Sequence, residues 1–120
     1  MDMGETVGIR PAPSFDNSAA RNEMIAIDVA WKHAFEAEPV RLVSVLDRNR
    51  HEVRKLEFFR DGRVGFADEA RSSHGTELGT VPVPPLVEIN ADPEFDGRAI
   101  TLEDFETLWS CHVTRIDRVD

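Results

Sequence analysis

The chain is 120 residues long, carries a net charge of −9 and is 41% hydrophobic, which suits one ordinary domain and excludes a general nucleic-acid binder, since displacing counterions from phosphates needs a cationic surface. Its only cysteine, Cys111, excludes an intrachain disulfide and fits a reducing compartment. No apolar run approaches the ~20 residues of a membrane helix, and Gly4, Glu5, Gly8, Arg10 and Pro11 break up any secretion signal, so a cytoplasmic protein without membrane contact is expected.

Residues 1–23 mix Gly4, Gly8, Pro11, Pro13, Ser14 and Asn17 with scattered apolar positions and no period, and are expected to form a flexible tail. At Met24 the pattern changes. Ile25, Ile27, Val29, Trp31, His33 and Phe35 alternate with a second set of residues, which is the period of a strand. Glu36 to Pro39 interrupts it, Val40 to Leu46 supplies a second strand, and Asp47-Arg48-Asn49 turns the chain.

The segment from Arg50 to Asp68 reads as a hairpin turning at Asp61-Gly62. A two-residue loop would set Arg60 against Arg63 and Phe58 against Gly65. A three-residue loop, Arg60-Asp61-Gly62 with Gly62 left-handed, pairs Phe58 with Val64, Leu56 with Phe66 and Arg54 with Asp68. Because a one-residue slip exchanges the two faces of a strand, the hydrophobic pattern selects the longer loop. One face then holds Leu56, Phe58, Val64 and Phe66, and the other Lys55, Glu57, Phe59 and Arg63. Both faces carry a Phe, which leaves open the face that a helix covers.

Glu69 to Thr80 has no apolar period and is expected to be a long loop, mobile or functional. Val81 to Pro85 is an extended lead-in to a short helix over Leu86–Ala91, with Pro85 at its first position. Thr101 and Asp104 have capping-box spacing, and Ile100 can staple onto Phe105. Leu102, Phe105, Leu108 and Trp109 then form the apolar stripe of a C-terminal helix, which needs a sheet to cover. These elements predict an α+β domain over residues 24–112: a four-stranded antiparallel meander with a short helix and a C-terminal helix packed on one face, followed by a tail over 113–120.

Several motifs, in order, resemble those of an uncharacterised bacterial domain family, DUF6881. They are Trp31-Lys32-His33, Glu38-Pro39, the run from Glu52 to Arg63, Pro84 to Asn90, Asp92-Pro93-Glu94-Phe95, and Phe105 to Trp109. The resemblance spans about residues 25–109 and implies no reaction, cofactor or catalytic residue.

No motif for chemistry is complete. Asp92, Glu94, Asp96, Gly97 and Glu103 match the spacing of a calcium loop, but Ile100 stands where a short polar ligand is usual and the helix cap at Thr101 comes one residue late. Cys111 and His112 are neighbours whose side chains diverge by roughly 100° on a helix, which prevents a direct nucleophile–base pair. No cofactor or metal is expected. The leading functional expectation is a non-catalytic protein-interaction module, for instance an immunity- or antitoxin-like neutraliser. Its patch would be Lys55, Glu57, Phe59 and Arg63, an aromatic anchor ringed by charge. The alternative is a small enzyme or ligand-binding domain using the 69–80 loop, with His33, Arg54, Asp68 and His74 gathered in one cleft.

Overall fold

The computed structural model describes residues 24–73 and 75–114. The expected tail over residues 1–23, His74 and residues 115–120 lie outside the described residues. In chain order the elements are β1 (Ile25–Trp31), β2 (Pro39–Leu46), β3 (Glu52–Phe59), β4 (Val64–Asp68), α1 (Leu86–Ile89), β5 (Phe95–Ile100) and α2 (Leu102–Trp109), which runs into a π-helical turn, Ser110–Thr114. The domain is α+β, with one antiparallel sheet in the order β4-β3-β2-β1-β5.

The meander of β1 to β4 is as the pattern predicts, and so is the hairpin register. Phe58 faces Val64, Leu56 faces Phe66 and Arg54 faces Asp68. Gly62 has φ 99°, a conformation open to glycine at little cost, and its N–H donates to the Phe59 carbonyl at 3.0 Å to close the three-residue loop.

Two features differ from the sequence expectation. First, the sheet has a fifth strand, β5, on the free edge of β1. Its sequence, FDGRAI, contains Asp and Gly, which are depleted in strands, and only pairing with β1 overrides that propensity. Residues 95–100 are therefore extended, whereas a calcium loop must wrap its ligands around one point. Asp92 instead accepts the Glu94 N–H at 2.9 Å in a local turn.

Second, the two helices lie on opposite faces of the sheet. The front carries Ala26, Val43, Val45, Leu56 and Phe66, covered by Phe105, Trp109 and Val113. The back carries Ile27, Val29 and Leu46, packed by Val83, Leu86, Ile89 and Phe95 from the α1 side. Apolar side chains stand on both faces of β1 and β2, and a sheet so built needs two covers. Val113, placed in the tail by the sequence reading, is wholly buried in the front core.

Local chemistry sets the ends of the elements. Beyond Trp31 one more ladder bond follows, from the Lys32 N–H to the Glu94 carbonyl at 2.7 Å, and the His33 ring then turns back to meet the Pro39 carbonyl at 2.8 Å. Pro85 is the residue before α1, not its first residue, and α1 ends at Ile89. At α2, Thr101 Oγ1 accepts the Asp104 N–H at 2.9 Å and Asp104 returns the contact to the Thr101 N–H, completing the capping box.

Candidate partner-binding groove

The described part of the 69–80 loop folds back over β3 and β4. The Ser73 N–H donates to the Phe66 carbonyl and the Ser73 hydroxyl accepts the Phe66 N–H, both at 2.8 Å. On the back face the loop is held by charge. Lys55, only 8% exposed, places Nζ 3.0 Å from Glu52 Oε1 and 3.8 Å from Glu57 Oε2 and donates to the Glu77 carbonyl at 3.0 Å. Buried Thr76 donates to Glu57 at 3.1 Å, and the Gly79 N–H donates to Glu52 at 2.6 Å. Lys55, Glu57 and Thr76 are thus each partnered, as burial requires.

The patch expected at Lys55, Glu57, Phe59 and Arg63 therefore divides. The alternation places all of these strand residues on the back, but Lys55 and Glu57 lie under the loop and serve as its anchors. Phe59 stays half-buried near the turn, with the Arg63 guanidinium 4.4 Å from its ring centre, and Arg63 also pairs with Asp61 at 3.0 Å.

Between α1 and the loop-covered hairpin lies an apolar groove of about 340 Å³. Its floor is Ile27, Val29, Leu42 and Ser44; Val83, Ile89 and Phe95 form walls, and Glu52, Glu88 and Asp92 are its charged residues. Glu52 is already engaged by Lys55 and Gly79, which leaves Glu88 and Asp92 as the acids facing solvent. The Ser44 residue is 4% exposed, and its hydroxyl makes no hydrogen bond among the described residues. An unsatisfied buried hydroxyl costs about 1–3 kcal/mol and is satisfied by a ligand or water if one enters. At one end the groove continues into a row of rings. Phe95 stacks on Trp31 at 5.9 Å, Trp31 meets His33 at 4.2 Å, and His33 stacks on the 61%-exposed Phe35 at 5.3 Å. A cavity of about 380 Å³ also lies beside Met24, Ala99 and Leu102; its one charged residue, Arg50, is already engaged with the Val83 and Pro84 carbonyls.

The other expected cluster is not assembled. Arg54 and Asp68 do face each other, but on the front. There the Arg54 guanidinium lies 4.5 Å from the Trp109 ring centre and 4.9 Å from that of Phe105, and pairs with Glu106 at 3.1 Å. Burial pushes the Asp68 carboxyl up, but the Ala70 and Arg71 N–H groups, aided by the charges of Arg71 and Arg54, hold it below the usual carboxylate range. His33 lies at the opposite end of the sheet, where its ring meets Pro39 and its carbonyl accepts from Arg60 at 2.9 Å. His112 packs edge-on against Phe58 at 5.3 Å, while its neighbour Cys111 is exposed. Among the described residues no group of three His, Cys, Asp or Glu side chains could hold a metal ion, and no described helix is long and apolar enough to cross a membrane.

Asp28 was not singled out by sequence. It is 6% exposed on the front face, where Arg41 grips it with Nε at 2.9 Å and Nη2 at 2.8 Å and Arg98 adds Nη2 at 2.9 Å. Burial raises its pKa, but the Arg41 and then the Arg98 contacts outweigh that and leave the carboxyl below its ordinary range. The acid at this inward-facing strand position was a signal in the sequence, because a buried charge needs partners. This triad ties β5 to β1 and β2.

The fold and the groove together define a small α+β domain with one sheet, a helix on each face and an open apolar channel on the back. The chain belongs to the family described as a domain of unknown function (DUF6881), whose model matches residues 26–114. No curated protein and no solved structure was found to match it.

Proposed function

We propose that this domain is a non-catalytic protein-interaction module of the cytoplasm that receives a segment of a partner protein in its back-face groove. The observation that carries the proposal is the groove itself: an apolar floor left open between two covers, with a buried hydroxyl that has no partner among the described residues. A concave, largely apolar site with a few placed polar groups is the general form of a binding site. The adjoining ring row, ending at exposed Phe35, supplies aromatic anchors of the kind that concentrate binding energy at interfaces. The net charge of −9 suits a neutraliser that covers a basic site, as in the immunity- or antitoxin-like role.

The test uses a filling substitution. Ser44 lines the groove floor, so Ser44→Leu should direct the added volume into the groove. The variant is expected to melt at or above the wild-type temperature and to lose a partner that wild-type protein retains. Thr107→Arg, on the exposed outer side of α2, is expected to keep that partner. Capture of the same partner by Ser44→Leu at wild-type strength would contradict the proposal.

A further inference from the structure

We infer that the groove recognises a positive charge, and that its occupant is the side chain of an arginine or lysine carried on an apolar-flanked segment of the partner protein. This rests on the groove being the docking surface and adds what is recognised there. Among its lining residues are acids and no base, and the two exposed acids are Glu88, in α1, and Asp92, four residues on in the turn that leads to β5. Glu88 has no salt-bridge partner among the described residues, and Asp92 uses Oδ1 on the Glu94 N–H. Negative charge is therefore left over at the mouth.

The floor fits the rest of such a side chain. Arg and Lys bury an aliphatic stem on apolar surface while the charged head stays at the rim, and Ile27, Val29 and Leu42 offer that surface. Phe95 forms the wall at the ring-row end, and a cation near an aromatic face is attracted by the ring quadrupole. The Ser44 hydroxyl, without a partner among the described residues, lies on the floor and can accept an N–H of the entering segment while the charged head stays at the rim. Apolar stem, aromatic wall, neutral acceptor and free carboxylates are the complement of one long basic side chain, and they would penalise an acid in the same place.

The probes are two acetylated, amidated tripeptides, Leu-Arg-Leu and its neutral isostere Leu-citrulline-Leu, titrated into the full chain and followed by amide chemical shifts. The arginine peptide is expected to shift Val29, Leu42, Ile89 and Phe95 and to bind roughly three- to tenfold tighter than the citrulline peptide at low salt, the range expected of one exposed ion pair with a cation–π contact. Glu88→Gln with Asp92→Asn, which keeps the local turn acceptor, should abolish that preference without changing the melting temperature. If both peptides shift the groove equally, the charge inference is overturned while the groove stands as a docking surface. If neither shifts the groove but both shift other residues, the inference and the proposed function fall together.

Discussion

Gly65 lies in β4 directly beneath the loop that covers the hairpin, and an added Cβ there would sit 2.0 Å from Thr76 Oγ1 and 3.2 Å from Thr76 Cβ. Glycine to alanine in an unhindered strand is stabilising by about 0.4–1 kcal/mol through the unfolded chain. Here the sign should reverse. Thr76 is 2% exposed and its hydroxyl holds Glu57 at 3.1 Å, so it cannot turn aside without losing a hydrogen bond to a charged group. Overpacking costs about 1–3 kcal/mol and such a bond about 1.5–3 kcal/mol, so Gly65→Ala should destabilise by roughly 2 kcal/mol net after the chain-entropy gain. For a domain of this size that lowers the melting temperature by about 8 °C. The cause can be isolated with a double-mutant cycle by urea denaturation. Thr76→Ala removes the clashing oxygen, so the double variant should cost less than the sum of the singles by about 1 kcal/mol or more. A Gly65→Ala protein as stable as wild type, or strictly additive costs, would show that the loop does not pack on the sheet in this way.

Asp28→Asn should destabilise at neutral pH by about 1–3 kcal/mol, less than a fully buried pair, because Arg41 and Arg98 can reach water. The folded Asp28 carboxyl lies below its ordinary value, so its contribution is complete above about pH 4 and is lost as pH falls through the lowered value. Asp28→Asn should therefore flatten the acid limb of a stability–pH curve, leaving a residual slope from Asp68, which is shifted the same way. Thr101→Ala breaks the capping box and should cost about 1 kcal/mol in thermal or urea unfolding. Melting curves in millimolar calcium and in chelator should coincide, since residues 95–100, the middle of the 92–103 stretch, form an extended strand; a calcium-dependent rise would reinstate it as a site.

Where the sequence carried strong local signals, the structure follows it. The hairpin register came from one rule, that a slip of one residue would set Phe58 against Gly65 and Glu57 against Phe66, splitting the apolar face, and that rule holds. The capping box at Thr101 was equally local. The misses are tertiary. Phe95–Ile100 is a poor strand by composition, and nothing within it reveals the free edge of β1 that recruits it. The placement of α1 behind the sheet was legible in Val43 to Leu46, a run apolar on both faces except for Ser44, but that run was read only as a strand. Ser44 is also the polar residue that marks the groove. The groove itself could not be read in advance, because its wall comes from residues 83–95 and its floor from residues 27–44. Lys55 and Glu57 were placed on the correct face yet misread as a rim, because no periodicity announces that Thr76, Glu77 and Gly79 fold over them.

Site-specific photo-cross-linking tests the groove as a docking surface most directly. A photoreactive phenylalanine analogue placed at exposed Val87 on α1, beside the groove, should yield a discrete adduct with one protein partner when irradiated in cells that make the full chain. The same analogue at exposed Thr107, on the front-face helix, should not. Combining the Val87 probe with Ser44→Leu should abolish the adduct. The account is contradicted if the adduct forms equally from Thr107, or if it survives filling of the groove.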